Sequence, residues 1–96
     1  MTSQDSSTKL VDQAVLLFTL GQEKEAESLL VEYLSGHEND LSASRALSEI
    51  RFSTKDFSAA EEACRKALSI NPDDLTSNVS LARILVAQGD KEGAEE

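Results

Sequence analysis

An all-α solenoid of antiparallel helix pairs is the fold this sequence predicts, and three observations predict it. Landmarks recur every thirty-four residues: Gly21-Gln22…Ala26, Lys55-Asp56…Ala60 and Gly89-Asp90…Ala94, with Ala14, Ser48 and Ala82, Leu47 and Leu81, Leu34 and Leu68, and Leu41 and Leu75 in the same register. A fixed period of this length, in a chain with no strand-like segment, is the signature of a helical repeat array. The composition agrees: hydrophobic residues make up 40% of the chain with only four aromatics among them, so the core is built from Leu, Ala, Val and Ile. That suits closely packed helices better than a sheet, which favours β-branched and aromatic side chains. Ninety-six residues would make a small globule, whereas in a stack each helix pair covers its neighbour and the core is linear.

Residues 1–6 are polar and without pattern, and are expected to form a flexible N-terminus. Helix one is expected from about Thr8, with Ser7 as its N-cap, and carries Leu10, Ala14, Leu17 and Val11, Val15, Phe18 at three- and four-residue spacing. Gly21, the usual left-handed residue at a helix end, closes it. Helix two, about 23–35, is expected to bury Ala26, Leu29, Leu30, Tyr33 and Leu34, with acids in its first turn where the helix dipole favours them. After a 36–40 connector, Asp40 caps helix three, which carries Leu41, Ala43, Ala46, Leu47, Ile50 and Phe52. Asp56 caps helix four, whose inward set is Phe57, Ala60, Ala63, Cys64, Ala67 and Leu68. Asn71-Pro72 stops it, because the residue before proline is pushed out of the α region. Asp74 caps helix five, with Leu75, Val79, Leu81, Ala82, Ile84, Leu85 and Val86, expected to end at Gly89, and Asp90 caps a sixth helix that has barely begun. The units are 7–40, 41–74 and a truncated third at 75–96. Small residues face each other within a pair, Ala14 on Ala26, Ser48 on Ala60 and Ala82 on Ala94, and let the two helices approach closely.

Carried on Ala14…Leu17…Gly21…Ala26…Leu30…Tyr33, on Leu47-Ser48…Asp56-Phe57…Ala60…Ala67…Pro72 and on Leu81-Ala82…Leu85…Gly89-Asp90…Ala94, the chain resembles the tetratricopeptide repeat (TPR) family over residues 7–96. It departs from that pattern where Leu10, Ser44 and Asn78 stand for a large aromatic, Glu38 for the terminal proline of the first unit, and Lys55 for the turn glycine of the second. The resemblance implies a right-handed superhelix of about two and a half TPR units. It also implies a noncatalytic interaction module, whose concave groove, lined by the first helix of each pair, receives a peptide or helix of a partner protein. The groove positions it implies include Val11, Val15 and Phe18, then Arg45, Glu49 and Phe52, then Val79, Arg83 and Val86, with Thr8, Ala46 and Ser80 among their neighbours. Members that clamp a C-terminal carboxylate use cationic groove residues; the matching places here are Val11, Val15, Ala46, Thr76 and Ser80, so that use is not expected. The apolar stripe of Val11, Val15, Phe18, Phe52, Val79 and Val86 marks an interaction surface suited to an amphipathic helix, with Arg45, Glu49 and Arg83 orienting it. Phe18→Ser with Phe52→Ser is expected to abolish such binding and spare helicity. Packing of the same residues between helices is the competing expectation.

Charge narrows the partners. The formal net charge is −9, from eighteen acids and nine bases, so the basic footprint that nucleic acid requires is missing, and an anionic membrane surface is disfavoured likewise. The lone Cys64 makes neither an internal disulfide nor a zinc site and suits a reducing compartment. The N-terminus lacks the cationic and apolar stretches of a secretory signal, and a cytoplasmic location is expected. The short last helix leaves an uncapped C-terminal end, so self-association into a homo-oligomer, or service as the N-terminal regulatory segment of a longer protein, is the alternative use. No cofactor, metal or catalytic residue is expected. His37 beside Glu38 and Asp40 lies in a solvated connector. Cys64 has no histidine in pattern with it and reads as a small core residue. The paired acids Glu61-Glu62 and Glu95-Glu96 read as exposed charge rather than an acid–base couple.

Overall fold

The computed structural model describes the backbone of residues 3–95 and the side chains of residues 9–90. It contains five helices, α1 (Ser3–Thr19), α2 (Glu23–Gly36), α3 (Leu41–Ser53), α4 (Phe57–Ile70) and α5 (Leu75–Glu95), and no strand among the described residues. The fold is the all-α stack of helix pairs that the period predicts.

Each boundary has a local cause. Gly21 and Lys55 lie thirty-four residues apart and are the positive-φ positions among the described residues, at 87° and 69°. Around them the same double closure is built twice. The Gly21 and Gln22 amides donate to Phe18 O (3.0 Å) and Leu17 O (2.8 Å); the Lys55 and Asp56 amides donate to Phe52 O (3.0 Å) and Arg51 O (2.9 Å). This is the Schellman arrangement, which satisfies carbonyls left open by the last helical turn. Lysine takes the left-handed conformation despite its Cβ, a cost of about 1–2 kcal/mol relative to the ordinary helical region, because the tertiary packing on either side demands the same turn. The caps fall where expected: Asp40 accepts from the Ala43 amide (3.0 Å), Asp56 from Ala59 (3.4 Å) and Asp74 from Ser77 (3.0 Å). The Tyr33 hydroxyl donates to the other Asp40 oxygen at 2.8 Å and so ties α2 to the cap of α3.

Helices α1, α3 and α5 form one layer in which α3 packs on both neighbours; α2 and α4 form a second layer and do not pack directly on each other. The core runs along the seam. Ala14, Ala26, Leu30, Ala43, Leu47, Ile50 and Ala63 make its first part, and Ala60, Cys64 and Ile84, flanked by Phe52, Phe57 and Leu81, make its second. The small-residue crossings are tight: Ala14, Ala26 and Ala60 are fully buried, and Ser48 donates its hydroxyl to Ala60 O at 3.0 Å. Extents of 53 × 31 × 19 Å describe an elongated slab, as a linear core requires.

Three expectations are corrected. α1 begins at Ser3 rather than near Thr8, so the helix reaches into the segment expected to be irregular; the Ser7 side chain, the expected cap, lies outside the described residues. α5 does not stop at Gly89 but continues to Glu95, and there is no separate sixth helix capped by Asp90. A reversal there would have to be repaid by apolar burial, and Asp90–Glu95 contains a single apolar residue, Ala94. The Ala82–Ala94 crossing is therefore not formed, and of the apolar residues assigned to helix five only Ile84 is fully buried.

Candidate functional site

The nine residues expected to meet a partner occupy three register positions, each used three times: Val11, Arg45 and Val79; Val15, Glu49 and Arg83; Phe18, Phe52 and Val86. On a helix, positions spaced four and then three residues apart share a face, so α1, α3 and α5 each carry one stripe. Because α1 adjoins α3 and α3 adjoins α5, the stripes lie side by side.

Exposure divides them. Val15, Val79 and Val86 are 47%, 51% and 64% exposed, and Glu49 and Arg83 also face solvent, whereas Val11, Phe18, Arg45 and Phe52 are half-buried. Val11 and Phe18 pack on the first part of the core and Phe52 on the second. Val15, Val79 and Val86 are thus open to solvent, while Val11, Phe18 and Phe52 pack between helices. Phe18, Glu49, Phe52 and Arg83 converge on an open depression of about 420 Å³ whose wall is completed by Ser53, Lys55 and Phe57. Phe52, Arg83 and Val86 line a neighbouring one of about 410 Å³ with Ala82, Ala87 and Asp90. Val11, Val15, Arg45 and Val79 stand outside both. Phe57, expected in the core, also lines this wall: its ring lies 5.4 Å from that of Phe52 across the turn, a closeness that follows from the five-residue separation spanning the Lys55 turn.

The charges expected to orient a ligand already have partners in the chain. Arg83 lies 3.5 Å from Glu49, and its guanidinium sits over the Phe52 ring at 4.7 Å. The Ser80 hydroxyl donates to the same Glu49 carboxylate at 3.1 Å, which explains why Ser80, expected on the groove, is buried instead. Arg45 pairs with Asp74 at 3.6 Å. The Ser77 hydroxyl and amide, aided by the Arg45 charge, hold the Asp74 carboxyl below its ordinary range. Ala46 is half-buried against the core, and the Thr8 side chain lies outside the described residues.

Elsewhere the titratable groups serve the fold. The His37 ring stacks on Tyr33 with centroids 4.2 Å apart, and its Nδ1 lies 3.1 Å from Tyr33 O, a hydrogen bond that requires the proton on Nδ1. Cys64 is 1% exposed and donates to Ser77 O at 3.1 Å; burial pushes its thiol up, away from the thiolate a nucleophile needs. Glu61 is held below the usual carboxylate range by Arg65 and then by Gln88, the opposite of what a general acid requires. Among the described residues no group of three His, Cys, Asp or Glu is placed to hold a metal ion, and no helix is long and apolar enough to cross a membrane.

Residues 51–96, from the last turn of α3 to the end of α5, match the family model described as Tetratricopeptide repeat. No curated protein matches the chain.

Proposed function

We propose, from the tetratricopeptide repeat match over residues 51–96 and the all-α stack of helix pairs, a noncatalytic protein–protein interaction module in which the face shared by α1, α3 and α5 takes a peptide or amphipathic helix of another protein. The units in this reading are 7–40, 41–74 and 75–96. The observation that carries it is that Val15, Val79 and Val86 are left solvent-exposed on this layer, where Phe18, Phe52 and Phe57 line one open depression and Val86 lines its neighbour. Apolar anchors in a concave wall, edged by charges that can exchange partners, are what a groove offers an amphipathic helix. An incoming carboxylate would compete with Glu49 for Arg83. A cytoplasmic location suits the single thiol.

The test uses peptides selected from a displayed library of helical sequences against the full chain. Val15→Asp, Val79→Asp and Val86→Asp are each expected to weaken binding more than tenfold with unchanged circular dichroism; undiminished affinity in all three overturns the reading. These exposed positions replace the Phe18→Ser and Phe52→Ser test, because both phenylalanines also pack on the core and their loss would confound binding with folding.

A second reading, self-association, is favoured by one specific observation. Ala82 is exposed, while Ala14 and Ser48, in the same register, are 0% and 3% exposed. Leu75, Val79, Ala82 and Val86 make a continuous apolar strip on α5, opposite buried Ile84, and a second copy would find there a surface like those α2 and α4 already cover. Sedimentation at several concentrations separates the two: mass rising with concentration and abolished by Ala82→Glu supports assembly, and a constant monomer mass removes it.

A further inference from the structure

Resting on the reading of the α1, α3 and α5 face as a groove, we infer that Lys55 and the phenylalanines beside it form a specificity subsite, which takes an aromatic side chain of the partner protein flanked by an acidic one. Phe18, Phe52 and Phe57 are all the phenylalanines of the chain, and the three line one open depression of about 420 Å³. None is fully buried. The Phe52 and Phe57 rings stand 5.4 Å apart and inclined at 57°, and the edge-to-face contacts that aromatic rings prefer let a third ring join such a pair. Phe18 comes from α1 and Arg83 from α5, so the depression lies across the layer. A segment laid over the three helices continues on both sides of it, and its anion is a side chain rather than a chain end.

Charge at this wall runs against that of the whole chain. The net charge is −9, yet the depression is lined by two cations, Lys55 and Arg83, and one acid, Glu49. Glu49 is already committed: Arg83 lies 3.5 Å from it and the Ser80 hydroxyl donates to it at 3.1 Å. Lys55 is exposed, and its side chain has no hydrogen-bond or ion-pair partner among the described residues. The charge left over for a ligand is therefore positive and belongs to Lys55. The backbone singles out the same residue. One unit earlier the equivalent turn is made by Gly21, whereas Lys55 holds φ at 69°, a conformation that costs an L side chain stability. Packing requires the turn but not a lysine in it, and no side-chain contact within the chain offsets the cost. Residues kept in such conformations gather where ligands are held.

The test titrates the full isotope-labelled chain with the capped tripeptide Glu-Phe-Glu and follows the amide resonances. Saturable shifts at Phe52, Lys55 and Phe57 are expected. Capped Gln-Phe-Gln should bind about two- to fivefold more weakly, the size of an exposed ion pair, and capped Glu-Ala-Glu should not saturate. Lys55→Asn removes the charge and tolerates the left-handed turn; it should reproduce the two- to fivefold loss, whereas Lys55→Arg keeps the affinity. The difference should vanish at about 1 M salt, where exposed charges are screened. Lys55→Gly should weaken binding likewise although it relieves the turn, a combination that a merely structural lysine would not give. Equal affinity for the Glu and Gln peptides, undiminished binding in Lys55→Asn, or shifts confined to other residues overturns the proposal. So does tightest binding of Gln-Phe-Gln with a free C-terminal carboxylate, which would make the anion a chain end. Val15 lies outside the depression, so Val15→Asp should spare the tripeptide while weakening the longer helical peptides. If the tripeptide fails to bind and Val15→Asp still weakens those peptides, the subsite falls and the groove stands.

Discussion

α3 and α5 occupy equivalent places thirty-four residues apart, and their burial agrees on one side and diverges on the other. Toward the preceding pair they match: Ala43 and Ser77 are buried, and so are Ile50 and Ile84. On the other side Leu41, Ser48 and Phe52 of α3 are half-buried or buried, whereas Leu75 is 75%, Val86 64% and Ala82 likewise exposed on α5. The helices do not differ in pattern. They differ in whether a partner helix returns across them, as α4 does over α3. In a stacked array burial belongs to the neighbour as much as to the residue, because each unit contacts only the next.

The comparison can be broken by paired substitutions. The largest contrast is expected between Ile50→Ala, at 3% exposure, and Leu75→Ala, at 75%. The first should cost about 2–5 kcal/mol for lost transfer and cavity and the second no more than about 0.5 kcal/mol. Urea unfolding midpoints at constant slope read both, and equal losses would show that α5 is covered in solution. Next, Ser48→Leu should overpack the crossing with Ala60 and cost about 1–3 kcal/mol, while Ala82→Leu should be close to neutral; a comparable loss at Ala82 would place a helix over it.

The two helix ends sharpen the comparison further. Lys55→Gly should raise stability by about 1 kcal/mol, since glycine adopts the left-handed turn without a Cβ clash, and Gly21→Lys should lower it by a similar amount. Unmoved midpoints would mean that neither turn holds that conformation. The smallest effect concerns acid. Asp74 is held below the ordinary carboxylate range in the folded chain, so its contribution is complete above the value in the unfolded chain and is lost as pH falls through the lowered folded value. The stability gap between the native chain and Asp74→Asn should therefore narrow across that acidic window and stay constant near neutrality. A gap that instead changes between pH 6 and 8, far above the carboxylate range, would assign the dependence to another group.

Exposure along the expected stripe was partly legible for the same reason. Val15, Val79 and Val86 are exposed where a stripe predicts, because helical phase follows from spacing alone. That Arg83 spends its charge on Glu49 and its face on Phe52, or that Ser80 turns inward to the same carboxylate, depends on how α3 and α5 meet, and no periodicity within either helix encodes that.

By itself the sequence determined the helical repeat, its thirty-four-residue register, the caps at Asp40, Asp56 and Asp74 and the turn at Gly21, because these depend on local backbone chemistry and on which residues recur in phase. Only the tertiary structure decided that α5 runs straight through Gly89, that Ala82 stays uncovered while Ser48 does not, and that Arg45 pairs with Asp74 and Arg83 with Glu49. A turn, a crossing or an ion pair forms when a second surface repays its cost, and that surface belongs to another part of the chain.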